Sequence, residues 1–304
     1  MKKVLITGAT GFIGQFALEP LRELGFEVHA VSSRSVPGEQ ENGVIWHRAD
    51  LLQPQDVARV TAGVRASHLL HLAWYVEHGK FWDAPENDLW VEASKGLFDQ
   101  FVANGGKRVV AAGTCAEYDW KTGERIFSEA TSPIAPASRY GRAKDDLHKY
   151  LAGVAERAGI SYAWGRIFYL FGPGESKGRF IPMAIRTILR GETFTCNSPA
   201  DAKDFVYVKD VAAAFAHILT SDVKGAVNIA SGTAVRLDIL VQQITDLSES
   251  GRFAEHSRSD AKGIALVGNH YRLVSEAGFA RWTDPETALT ETIDWWRELQ
   301  ERNS

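Results

Sequence analysis

Cysteine is scarce in this chain: Cys115 and Cys196 are the only two among 304 residues. Two are too few for a disulfide framework or a cysteine-based zinc cluster, so no metal site is expected. No apolar run is long enough to span a bilayer. A strand pattern starting at Val4 leaves no room for a signal peptide, and the expected compartment is the cytoplasm. Charge of one sign is also lacking. The formal net charge is -4, with Lys and Arg spread along the chain, which speaks against nucleic acid or a membrane surface as a partner. Internal repeats and low-complexity stretches are absent. What remains is a chain with 45% apolar residues, enough to bury a substantial core in about two domains.

Strand and helix periods alternate through the first half. Strands are expected at Val4–Thr7, Glu27–Val31, Val44–Arg48, His68–Leu72, Arg108–Ala112 and Ser161–Ile167. Between them lie helical patterns: one carrying Phe16, Leu18, Leu21 and Leu24, then Pro54–Ala62, Pro85–Ala103 and Tyr140–Ala158. Such alternation predicts a parallel sheet with helices on both faces, an α/β fold. After Ser161–Ile167 the pattern loosens into Phe171-Gly172-Pro173-Gly174-Glu175, followed by a helix over Ile181–Arg190. Phe205–Val208 and Ala226–Ile229 read as strands returning to the sheet, with helix Val211–Leu219 between them. The tail with Trp282, Trp295 and Trp296 reads as part of a smaller α-rich cap. The expected division is a dinucleotide domain at 1–168 with a returning segment near 204–232, and a substrate domain from 169–203 and 233–304.

Chemistry concentrates at two places. Gly8-Ala9-Thr10-Gly11-Phe12-Ile13-Gly14 follows the first strand and opens a helix. Three glycines at that spacing let the backbone turn tightly and present helix N-terminal amides to a pyrophosphate, so Gly8, Thr10, Gly11, Phe12, Ile13 and Gly14 are expected to bind a dinucleotide. At the end of the second strand a carboxylate would hold the ribose hydroxyls of NAD; Ser32-Ser33-Arg34 stands there instead, a set suited to the 2′-phosphate of NADP. Asp50 is either an adenine contact or a turn carboxylate. The second place is Tyr140 and Lys144, four apart on one helix face, with Thr114 near the end of the fifth strand. An ammonium lowers a neighbouring phenol pKa, and a hydroxyl steadies a developing alkoxide, so these three are the expected catalytic residues. The dense aromatics Trp74, Tyr75, Phe81 and Trp82 either shape a pocket for a deoxysugar or pack their loop onto the sheet. Cys115 has no base placed for it and reads as a packing residue.

The motifs Thr7-Gly8-Ala9-Thr10-Gly11-Phe12-Ile13-Gly14, Asp50-Leu51, His71-Leu72-Ala73, Tyr140-x-x-x-Lys144, Arg166-Ile167-Phe168-Tyr169 with Gly172-Pro173-Gly174, Lys203-Asp204-Phe205-Val206-Tyr207-Val208 and the terminal Asp294-Trp295-Trp296 together resemble the extended short-chain dehydrogenase/reductase superfamily, in its group of NAD(P)-dependent epimerases and dehydratases. The resemblance spans nearly the whole chain. It implies a Rossmann-type doubly wound parallel sheet with a smaller α-rich C-terminal domain gripping a nucleotide sugar, a bound nicotinamide cofactor, and a homodimer built on long helices. Further cofactor contacts are then expected at Leu51, Leu72, Ala73, Trp74, Ile167 and Phe168, beside Tyr140 and Lys144. Substrate contacts are expected at Trp74, Glu117, Tyr169, Arg179, Phe180 and Lys203.

Three departures narrow the expectation. Dehydratases of the group carry Asp-Glu directly after the catalytic Thr, whereas Cys115 and Ala116 follow Thr114 and the nearest acid is Glu117. Tyr169 stands where many relatives have Asn, and Lys203 where an Arg is frequent. The leading expectation is reduction of a nucleotide-linked 4-keto-6-deoxy sugar with NADP, or NAD, as cofactor. The alternatives are a 4-epimerase with tightly bound NAD and, in another class, a non-catalytic NADPH-binding sensor or assembly protein.

Overall fold

A computed structural model describes residues 1–34, 40–41, 43–249, 255–256 and 263–302. Its centre is a parallel sheet formed by β1 (Lys2–Thr7), β2 (Phe26–Ser32), β3 (Val44–Arg48), β4 (His68–His71), β5 (Arg108–Thr114), β6 (Ser161–Ile167) and, later in the chain, Gly225–Ile229. The order across the sheet is Gly225–Ile229, β6, β5, β4, β1, β2, β3, with Gln40–Glu41 antiparallel on the last edge. The crossover helices are α1 (Gly14–Glu23), α2 (Pro54–Val64), α3 (Glu86–Ala103) and α4 (Arg139–Ala158).

Period-two alternation explains why both faces are covered. Val4, Ile6, Leu70, Val110 and Ala112 enter one core with Ala17 and Leu21 of α1. Leu5, Leu69, Val109 and Ala111 enter the other with α2, Leu97 and Phe98 of α3, and Leu147 and Leu151 of α4. Successive residues on one strand thus feed opposite helical layers. A third core joins Phe171, helix α5 (Phe180–Leu189), and the later helices over Leu237–Leu247 and Pro285–Glu301.

Boundaries shift where capping decides them. β5 runs two residues past the expected Ala112, so Thr114 is its last residue and also caps the short 3₁₀ turn Cys115–Glu117. Leu24 lies just outside α1, and α2 continues to Val64, where Arg65 adopts a left-handed φ of 48°. The segment at 205–208 departs more. Phe205–Tyr207 does not return to the main sheet; it pairs in parallel with Tyr169–Phe171 in a separate two-stranded ladder. Val208–Thr220 is then helix α6, and of the returning segment only Gly225–Ile229 joins the sheet, beside β6. Trp295 and Trp296 belong to the third core, but Trp282 stacks edge-on against Phe279 and packs on the first.

The returning ladder is tied down by one buried carboxylate. Asp204 is fully buried and accepts from the amide and hydroxyl of Ser231 at 2.8 and 2.7 Å, from Gly232 N at 3.0 Å and from Gly268 N at 3.1 Å. Four donors offset the desolvation of the charge. Asp204→Ala should therefore destabilise the protein by about 3 kcal/mol or more, read as a lowered thermal midpoint, because those donors are left buried without an acceptor.

Candidate active site

The C-terminal ends of β1, β2, β4 and β5, neighbours in the sheet, carry three parts of a candidate site. At the first, Gly8 takes a φ of +70°, and a Cβ there would lie 2.7 Å from Ala73 N; a Cβ on Gly14 would lie 2.0 Å from Gly8 O. Only glycine fits either place, so the turn lies flush against the end of β4 and α1 starts directly beneath it. The N-cap of α1 is Ile13, whose side chain offers no oxygen to the first-turn amides. A turn with glycine at three positions and a helix start without a capping side chain fit the pyrophosphate of a dinucleotide. The side chains of Phe12 and Ile13 turn to the third core and leave the backbone to face a ligand.

The second part is the end of β2. Ser32 is buried and its hydroxyl accepts from Arg34 N at 3.2 Å, while Ser33 and Arg34 are exposed. Asp50 forms a turn: its Oδ1 accepts from Leu52 N at 3.0 Å, and its own amide donates to Asp56 Oδ2 at 2.9 Å.

Thr114, Tyr140 and Lys144 make the third part. The Thr114 hydroxyl lies within hydrogen-bonding reach of the Tyr140 phenol and also accepts from Ala116 N at 3.2 Å. Tyr140 is wrapped edge-on by Phe81 at 5.0 Å and Trp82 at 5.9 Å, and its amide donates to Trp82 O at 2.9 Å. Lys144 is 3% exposed; its Nζ donates to Ala112 O at 2.8 Å and sits 3.7 Å from the ring centre of Trp74. Burial pulls the Lys144 pKa down to about 7, against the pull of the Glu117 carboxylate. Burial also raises the Tyr140 phenol, with the Thr114 hydroxyl acting the other way. The expected lowering by Lys144 does not dominate, because the ammonium is engaged by Ala112 and Trp74 and desolvation outweighs it.

Glu117 is corrected by the structure. Expected to touch substrate, it is instead fully buried, accepting from Thr114 N at 2.8 Å, Trp164 Nε1 at 2.9 Å and Arg166 Nε at 2.7 Å. Leu51, Ile167 and Phe168, expected as cofactor contacts, are buried core side chains at 7%, 9% and 3% exposure, packed in the second, first and a smaller fourth cluster. Phe180 packs edge-on against Phe194 at 5.6 Å, within the third core. Leu72 and Ala73 keep their places beside the glycine turn. His71 bridges Thr7 and Ser94 at 2.7 and 2.9 Å, and burial drives its pKa down to about 3. Cys115 is buried with its thiol pushed up to about 12, unfit as a nucleophile.

On the far wall Tyr169 lies with Lys203, whose Nζ is 5.5 Å from the ring centre. The charge of Arg179 acts on both phenols, Tyr140 and Tyr169. Arg179 Nε is 3.5 Å from Glu175, a buried carboxyl raised to about 8 by desolvation. Asn87 and Trp164 hold this architecture together yet carry no sequence signal of their own, and Arg166, part of a motif, is placed only by its pairing with Glu117.

The profile of the NAD dependent epimerase/dehydratase family matches residues 4–230. The chain belongs to that family. It is thus an enzyme of the extended short-chain dehydrogenase/reductase type, and the non-catalytic alternative falls away. Among curated relatives of this family member is dTDP-6-deoxy-L-talose 4-dehydrogenase (NAD(+)) of Aggregatibacter actinomycetemcomitans, 26% identical over 247 residues, covering 79% of this chain and 88% of the relative. Among solved structures are MoeE5 in complex with UDP-glucose and NAD, 28% identical, TM-score 0.82, over 98% of this chain and 99% of that one, and UDP-glucose 4-epimerase of Thermotoga maritima, 18% identical, TM-score 0.85, over 98% and 99%. The last shares the fold. Among the described residues no helix is long and apolar enough to cross a membrane.

The buried Lys144 ammonium is costly to the cofactor-free fold. Its native pKa lies below the ordinary lysine value, so between about pH 7 and pH 10 the unfolded chain holds a proton that the native one has lost, and stability rises with pH there. Lys144→Met should be more stable than the parent at pH 6.5, with the gap closing toward pH 10 at up to about 1.4 kcal/mol per pH unit. Urea unfolding midpoints at the two ends of that range check it.

Proposed function

We propose that this enzyme reduces the 4-keto group of a nucleotide-linked 6-deoxy sugar. The observation that carries the reading is the fate of Glu117: both carboxyl oxygens are committed to Thr114, Trp164 and Arg166, and Cys115 and Ala116 precede it. No carboxyl is left beside Thr114 to expel water, so dehydration is disfavoured. What remains is a phenol held protonated by burial, which suits delivery of a proton to a carbonyl oxygen. The named reaction of the talose 4-dehydrogenase relative, at position 4 of a dTDP-linked 6-deoxy sugar, supports the same class.

A bound nicotinamide cofactor would supply the hydride. Tyr140 gives the proton, the Thr114 hydroxyl steadies the substrate oxygen as charge develops on it, and Lys144 offers its remaining donors to the nicotinamide ribose. The aromatic rings of Phe81 and Trp82 keep water from the phenol. The segments 169–203 and 233–304 are assigned to the nucleotide sugar, with Lys203 and Arg179 as the cations nearest Tyr169 for its diphosphate. Ser32, Ser33 and Arg34 carry no carboxylate, which favours NADP. The NAD bound in MoeE5 and the NAD(+) in the name of the talose 4-dehydrogenase favour the other cofactor; the second reading is a 4-epimerase, the named activity of the Thermotoga maritima neighbour.

Consumption of NADPH and NADH against dTDP-, GDP-, CDP- and UDP-linked 4-keto-6-deoxyhexoses tests this. Oxidation with one member is expected, whereas stoichiometric NAD on the purified protein with no net oxidation would establish the epimerase. Tyr140→Phe should lower turnover roughly 10²- to 10⁴-fold with cofactor affinity nearly unchanged. Arg34→Ala should weaken NADPH binding by about tenfold or more while leaving NADH nearly unaffected, measured by fluorescence titration.

A further inference from the structure

Lys144 is enclosed by two indoles. Trp74 lies with its ring centre 3.7 Å from Nζ, and Trp164 lies at 6.0 Å. Each ring is fixed through its own N–H. Trp164 Nε1 donates to Glu117 at 2.9 Å, and Trp74 Nε1 donates to Asn87 Oδ1 at 2.9 Å. Asn87 is itself fully buried, and its amide donates to Phe81 O at 2.7 Å and Ala84 O at 2.9 Å. The chain from Lys144 through Trp74 and Asn87 therefore ends in the backbone of the loop that carries Phe81 against Tyr140. That is a built arrangement, since a freely rotating Trp74 would not need a buried amide shaped to receive its N–H.

We propose that Trp74 is a positioning residue for Lys144, its indole face holding the ammonium charged and directed within a site otherwise too dry for a cation. The proposal rests on Lys144 serving the Tyr140 site, but its test does not require turnover. A cation over an indole face gains most when both are out of water. The other groups facing Lys144 cannot do this alone. His71 on β4 is held neutral by burial, Tyr140 one turn back on α4 is held protonated, and Asp145 on the same helix is paired with Lys149 at 2.6 Å. Glu117 is the one carboxylate acting on the ammonium, and it is shared with Arg166. The carbonyl of Ala112 takes one donor. Trp74 thus supplies the attraction that is independent of the Glu117 network.

The test is direct titration of the Lys144 Nζ by NMR in cofactor-free protein labelled with ¹⁵N-lysine, the resonance assigned by its loss in Lys144→Met. Trp74→Leu keeps an apolar side chain but removes the π face, and its midpoint should fall by roughly one pH unit relative to the parent. Trp74→Phe should fall by less, since benzene is the weaker acceptor; if the Leu variant does not fold, the Phe variant decides alone. Cofactor affinity followed against pH should lose its alkaline side at the same displaced midpoints. A midpoint unchanged or raised in the folded variants overturns the proposal, because a merely structural Trp74 would alter stability without moving the titration. Titration shifts as expected with no activity on any keto sugar would instead retain Trp74 and overturn the proposed reaction.

Discussion

The contact on which the site depends is the buried pair of Glu117 and Arg166, 2.7 Å apart and almost without exposure. Glu117 holds the Thr114 amide and so fixes where β5 stops. Arg166 reaches on to the Tyr118 hydroxyl at 3.2 Å, Tyr118 donates to Asn228 at 2.8 Å, and the Asn228 amide donates to Phe127 O and Asn269 O. One polar chain thus runs from the end of β5 to the last strand of the sheet and into the C-terminal segment. Such a network sets geometry more than it adds stability, because desolvation of both ions offsets much of their attraction. Its effect is to hold Thr114 at the end of β5, where its hydroxyl lies near the Tyr140 phenol.

The same dryness that orders the site opposes its charges. Among the described residues Lys144 is paired with no carboxylate at contact distance, Tyr140 is held in its neutral form, and Glu175 is raised toward neutrality. Sites where burial works against ionisation are where proton transfer is tuned, and the fold bears that strain in exchange for function. The aromatic loop after β4 serves both readings of its density: Phe81 is buried as packing, while Trp82 remains partly exposed beside Tyr140 and Trp120. The loop is packed down by Phe81, while Trp82 reaches the surface.

Local rules were legible in the sequence because they need few residues. The strand ending at Thr7, the glycine spacing after it, the alternation that sorts Val4 and Ile6 from Leu5, and the Tyr140–Lys144 interval all follow from backbone periods and sterics. The helices α3 and α4 were placed within a residue or so of their ends for the same reason. The strand at Phe205–Tyr207 was recognised as a strand but given the wrong partner, since its β-branched and aromatic run says nothing about which edge it meets.

A doubly wound α/β fold, a glycine turn after β1 and the Tyr140–Lys144 interval can be read from spacing over a few positions. Only the tertiary structure decided that Glu117 is spent on Trp164 and Arg166, that Phe168 and Leu51 point into cores, and that Trp74 lies over Lys144. Those outcomes depend on which distant side chains share a dry space, and burial and hydrogen-bond competition there are settled by packing.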